Sequence, residues 1–161
     1  MVEDNPETPE TLPFGDAQVV LIVVGARLRA EVADRPLAYK LQKRIRRWLA
    51  RHRETLATTI EPVVCSDVWY LNSEELQARP TISLGGPGVN SLAALLAEDL
   101  DEEPEEQNQV LIQIDPEFTD LRVSIWGTDH ALTSKGLDVF CRQYLDGFLR
   151  AVATQIEPRE E

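Results

Sequence analysis

Residues 18–24, QVVLIVV, place six aliphatic residues in a row after one glutamine and carry no charge. A strand with one wet face alternates apolar and polar residues. A run without that alternation belongs to a strand covered on both faces, as in the interior of an α/β sheet. The apolar run as a whole, residues 19–26, is far shorter than the roughly 20 residues needed to cross a bilayer as a helix. No membrane contact is therefore expected, and 161 residues suit a single domain.

The segments that follow supply the partners of that strand. Gly25 ends its most apolar part, and ARLRAE extends it by alternation. Residues 35–54 read as a helix, with Asp34 as its cap and Pro36 in the first turn. Leu37, Leu41, Ile45, Trp48 and Leu49 form the apolar stripe of this helix, while Lys40, Arg44, Arg47 and Arg51 line the opposite face. IEPVVCS (60–66) is a second strand. YLNSEELQARP (70–80) is a short helix with Asn72 and Glu75 at capping-box spacing. TISLGG (81–86) is a third strand, and GVNSLAALLAEDL (88–100) a second main helix.

Val110, Ile112 and Ile114 alternate, as do Leu121, Val123 and Ile125, around a short loop holding Pro116. So short a connection cannot make a parallel crossover, so these strands pair as an antiparallel hairpin. Residues 128–156 complete the chain as one long helix with Leu137, Phe140, Cys141, Tyr144, Phe148 and Val152 on one face. The fold class predicted is α/β, Rossmann-like: one three-layer α/β/α sandwich over residues 16–156, with a mixed, mostly parallel five-stranded sheet that includes the hairpin. Residues 1–15 and 157–161 are read as tails, and the acidic run within 98–108 as a solvated linker. The opening residues 1–16 show no basic segment followed by an apolar one, which points to a cytoplasmic chain without a secretory signal.

In open α/β sheets ligands lie beyond the carboxyl ends of the parallel strands. Those ends here are Gly25–Ala26, Cys65–Ser66–Asp67, the glycine loop Gly85–Gly88, and Gly127–Thr128–Asp129–His130 if the last strand runs parallel to the third. The glycine loop is not a P-loop, because it lacks the four-residue gap and the lysine. Nor is it a dinucleotide fingerprint, because no acidic residue ends a following strand at the required distance. Two readings remain for it. One is an anion seat formed by Gly85, Gly86, Gly88, Asn90 and Ser91 at a helix N-terminus. The plainer one is a tight turn capped by Asn90 or Ser91.

Cys65 with His130 and either Asp67 or Asp129 is the only nucleophile–base set that can be assembled, against the plainer reading of Cys65 as a core thiol. Two Cys and two His give no metal-ligand spacing, and no cofactor is indicated. His52, on the basic helix, is expected to be solvated. Trp69 and Tyr70 form either a contact surface or a hydrophobic plug.

A net charge of −12 disfavours nucleic acid as a partner. Eight of the sixteen Lys and Arg residues nevertheless fall between Arg35 and Arg53. That asymmetry suits a protein partner or self-association through Lys40, Arg44, Arg47 and Arg51.

Two segments, ISLGGPGVNSLAALLAEDL and LRVSIWGTDHALTSKGLDVF, resemble the α/β domain of archaeal S-layer-type proteins. In that domain a strand leads through Gly-Gly-Pro-x-x-Asn into a helix, and a later strand ends in Gly before an acidic helix start. Gly85, Gly86, Pro87 and Asn90 match the first pattern, and Gly127 and Asp129 the second. The resemblance implies an assembly or surface-interaction module with no catalytic role. The sequence therefore favours a non-enzymatic interaction module. Its alternative is a binding protein or enzyme for a small phosphate-type anion, sited around Gly85–Asn90.

Overall fold

The structure, a computed structural model, describes residues 18–56, 58–100 and 109–155. Both tails and most of the acidic linker read from the sequence lie outside the described residues. In chain order the elements are β1 (Gln18–Val24), α1 (Leu28–Ala33), α2 (Arg35–Arg51), β2 (Ile60–Ser66), α3 (Asp67–Leu71), α4 (Glu74–Gln77), β3 (Thr81–Leu84), α5 (Ser91–Ala97), β4 (Val110–Gln113), β5 (Arg122–Gly127), α6 (His130–Gln143) and α7 (Leu145–Thr154).

Five strands form one sheet in the order β2-β1-β3-β5-β4. β2, β1, β3 and β5 are parallel, and β4 pairs antiparallel with β5, so the fold is the α/β sandwich with the expected hairpin. The unbroken apolar run of β1 is explained by its two neighbouring layers. Val20, Ile22 and Val24 pack with residues of α2, α6 and α7, whereas Val19, Leu21 and Val23 pack with residues of α3, α4 and α5. All six are essentially buried, and each such side chain contributes roughly 1.5–3 kcal/mol of hydrophobic stabilisation. No helix among the described residues is long and apolar enough to cross a membrane.

The chain leaves β1 through α2 on one face to reach β2, then returns through α3 and α4 on the other face to β3, on the far side of β1. This reversal makes a crevice at the carboxyl ends of β1 and β3. β5 runs parallel to β3, so residues 127–130 emerge at the same edge as the glycine loop.

Local structure departs from the sequence expectation in four places. ARLRAE does not extend β1 but forms α1. Gly25 lies directly against the carbonyl of Val89, and the N–H of Ala26 goes to the Asp67 carboxylate, so the ladder stops there. Asp34 makes no side-chain cap on α2; its backbone is helical, and its N–H and C=O join α1 to α2. The helix read over 70–80 is two short helices, capped by Ser66 on the Trp69 N–H and by Ser73 on the Leu76 N–H, and the Asn72–Glu75 box does not form. The last helix breaks at Tyr144 (φ −125°), which lets α7 bring Gly147 against the Phe118 ring in the hairpin loop.

Candidate functional site

The edge where β2, β1 and β3 end is pinned by two buried polar side chains. Asp67 Oδ1 accepts from the N–H groups of Ala26 (3.0 Å) and Val68 (2.8 Å), and Oδ2 from that of Ser91 (2.7 Å). Asn90 Oδ1 accepts from Leu92 and Ala93, and its Nδ2 donates to Ser83 Oγ (3.0 Å), Leu84 O (2.9 Å) and Val23 O (3.3 Å). With the Ala94 N–H on the Asn90 carbonyl, all four leading amides of α5 are satisfied inside the chain. The amides that an anion seat at this helix start would use are therefore taken within the protein, that of Ser91 by Asp67 and those of Leu92 and Ala93 by Asn90. Asn90 and Ser91 are structural pins, and the cap is Asn90.

Gly86 and Gly88 lie apart from this network, and Gly88 faces open space. They line a cleft of about 360 Å³ over the ends of β3 and β5, together with Arg29 of α1, Asp34, Trp126 and His130. The Trp126 ring stands over Gly86, 3.4 Å from where a Cβ would be. His130 opens α6, whose start is fixed by Asp129 Oδ1 accepting from Leu132 N–H (2.8 Å) and by Thr133 Oγ1 accepting from Gly127 N–H (2.9 Å).

Asp34 is the unusual member of this set. It is only 5% exposed, and no hydrogen bond to its carboxylate is made by the described residues. Its Oδ2 lies 2.5 Å from the position a Cβ on Gly85 would occupy, and Gly85 itself has φ +100°. Glycine is thus required there twice, for the left-handed backbone and for the approach of the carboxylate. Burial pushes the Asp34 pKa above the usual carboxylate range, and the nearby His130 partly opposes that rise.

The catalytic set built on Cys65 does not assemble. Cys65 is buried among Val19, Leu21, Val23 and Tyr70, on the α3–α5 face, and is not part of the cleft. Burial, with Asp67 nearby, pushes its thiol up to about 12, although Arg35 partly offsets this. A thiol so held supplies almost no thiolate at neutral pH. Asp67 and Asp129 are both committed to backbone N–H groups, and His130 belongs to the cleft. No cluster of three metal-binding side chains occurs among the described residues.

The basic face of α2 divides into two parts. Lys40 and Arg44 reach Asp138 of α6 at 3.8 and 3.5 Å, while Arg47 and Arg51 make no ion pair among the described residues. His52 stacks on Trp48 at 4.2 Å and is only partly exposed, contrary to the solvated position expected. The aromatic pair also splits: Tyr70 is a buried plug hydrogen-bonded with Thr81, and Trp69 is 50% exposed.

Sequence reasoning missed Asp34, Arg29 and Trp126 as members of a site. The only signal was Asp34 itself, whose place before Pro36 made a helix cap the simpler reading. Comparison with protein-family models gives no match for this chain, and comparison with curated proteins gives none.

Proposed function

We propose that the protein binds a small polar ligand in the cleft at the carboxyl ends of β3 and β5, with Asp34 accepting the ligand's N–H or O–H donors. The observation that carries this reading is a mostly buried carboxylate, without a hydrogen-bond partner among the described residues, that opens on the cleft. Such a group costs stability unless something pairs with it, and folds tolerate the cost chiefly where it serves a site.

The surroundings suit a small molecule. The volume, about 360 Å³, lies near the lower end of ordinary ligand pockets, and Trp126, Pro87 and Ala33 supply apolar wall. With the α5 amides occupied, an anionic group on the ligand is met by Arg29 and His130 at the mouth, not by the glycine loop. Asp34 and His130 line the cleft from different elements, so a bound ligand can meet both a carboxylate and an imidazole.

The test is a fragment set divided into cationic heterocycles, neutral N–H heterocycles and carboxylates, followed by amide chemical shifts of the full chain. Donor-bearing heterocycles should shift Gly86, Gly88, Thr128 and His130, and Asp34→Asn should weaken that response selectively. Hits scattered over the surface, or hits unaffected by Asp34→Asn, overturn the assignment.

A further inference from the structure

A second concave surface lies away from the cleft, between the carboxyl-terminal half of α2 and the bend joining α6 to α7. Its volume is about 590 Å³; Arg44, Arg47 and Arg51 form its cationic side, His52 borders it, and Trp48, Cys141 and Leu145 are its floor. We propose that this groove docks an acidic, partly apolar peptide segment of a partner protein. The inference is independent of the ligand cleft, because the two share no residue.

The floor is held in place. Trp48 is buried and donates its indole N–H to Asp146 Oδ1 at 2.9 Å. His52 stacks on the ring from one side, and its Nδ1, 2.7 Å from the Trp48 carbonyl, must carry the proton of that bond. The Arg150 guanidinium stands 5.9 Å from the Trp48 ring centroid and bonds Asp146 at 2.9 Å. An apolar side chain entering here meets a fixed surface and loses little of its binding energy to rearrangement.

The cations above that floor are not explained by the fold. A helix dipole favours positive charge in the last turn, which accounts for Arg51. It does not account for Arg47, which neighbours Arg51 at i,i+4, a spacing at which like charges repel and destabilise a helix. Asp138 satisfies Arg44 and Lys40 but leaves Arg47 and Arg51 without an ion pair among the described residues. Two unpaired cations one helical turn apart match carboxylates spaced along a bound segment.

The charge pattern also selects the class of partner. Asp146 borders the groove, and the chain carries −12 overall, so a uniformly charged polyanion such as nucleic acid is repelled at both ranges. A peptide whose carboxylates alternate with apolar side chains has a lower charge density, meets less of that repulsion, and covers Trp48 and Leu145.

The experiment uses the full chain and a short fluorescein-labelled peptide of alternating Glu and Leu, read by anisotropy, with a Lys/Leu peptide and heparin as controls. Binding of the Glu/Leu peptide should weaken with salt and fall at least about tenfold in Arg47→Glu/Arg51→Glu. The same peptide should bind Arg47→Lys/Arg51→Lys nearly as the parent does. Both side chains are exposed, so the melting temperature serves as the control for folding. Equal binding by the charge-reversed variant, equal binding of the Lys/Leu peptide, or binding of heparin alone each overturns the proposal.

Discussion

The Asp67 carboxylate accepts a 2.7 Å hydrogen bond from the backbone N–H of Ser91, so the start of α3 is tied to the start of α5 across the strand ends. The same side chain also holds Ala26 N–H, just beyond β1, and caps Val68 N–H within α3. Asp67→Ala removes all three charge-assisted bonds at a site only 3% exposed. A loss of about 2–4 kcal/mol is expected from urea unfolding. The N–H groups of Ala26, Val68 and Ser91, which converged on that carboxylate, are then left without it, so phosphate should raise the melting temperature of the variant more than that of the parent. A loss under about 1 kcal/mol, with no gain in phosphate response, would contradict the assignment of Asp67 as the filler of this seat.

Asn90 separates capping from its other role. As a cap, Asp is as good as Asn, and Ala is worse. Here, however, Nδ2 points at three acceptors, Val23 O, Ser83 Oγ and Leu84 O, in a buried position. Asn90→Asp should therefore be at least as destabilising as Asn90→Ala, because it sets a carboxylate against two carbonyls. Thermal unfolding of the two variants side by side decides the matter; a clearly more stable Asp variant would reduce Asn90 to a simple cap.

The glycines of the loop are not equivalent. Gly85→Ala meets both a positive φ and the Asp34 carboxylate, and should cost more than about 1–2 kcal/mol. At Gly88 no heavy atom lies within 4 Å of an added Cβ, so Gly88→Ala should fall within about 0.5 kcal/mol of the parent. Similar effects of the two changes would contradict the described loop geometry.

Asp34 makes a prediction about pH. Burial raises its folded pKa above the ordinary carboxylate value, so the folded state holds this proton more tightly than the unfolded chain. Stability contributed by the protonated form is present at low pH and lost as pH rises through the folded pKa. Asp34→Asn should consequently stabilise the protein at neutral pH, and the gain should shrink as pH falls toward 3.8 and below. Denaturant titrations of both proteins across that window test the sign, and a variant less stable than the parent at pH 7 refutes it.

The layers of the fold were readable because burial on two faces leaves a mark in composition. QVVLIVV could only be an interior strand, and the alternation of 110–125 could only be a hairpin. What stayed hidden was set by contacts distant in sequence. ARLRAE satisfies strand alternation locally, and it became a helix because Val89 and Asp67 close off the end of β1. The glycine loop marked the right edge of the sheet, but no local signal showed that a carboxylate from the end of β2 would take the Ser91 amide at the start of α5. Asp34 read as a cap for the same reason: its burial against Gly85 joins residues about 50 positions apart, and no periodicity records such a meeting.

Gly25, Gly85 and Gly127 end β1, β3 and β5, and each lies so close to another segment that a methyl group would not fit: Val89, Asp34 and Leu132 respectively. The exits of β1 and β3 are thus locked together through Val89, and that of β5 is wedged against the start of its own α6. Variation at this edge is thereby channelled into the exposed side chains around it, such as Arg29, Thr128 and His130. A lineage built on this framework can change what the edge accepts by exchanging those few residues, while the backbone that presents them stays where it is.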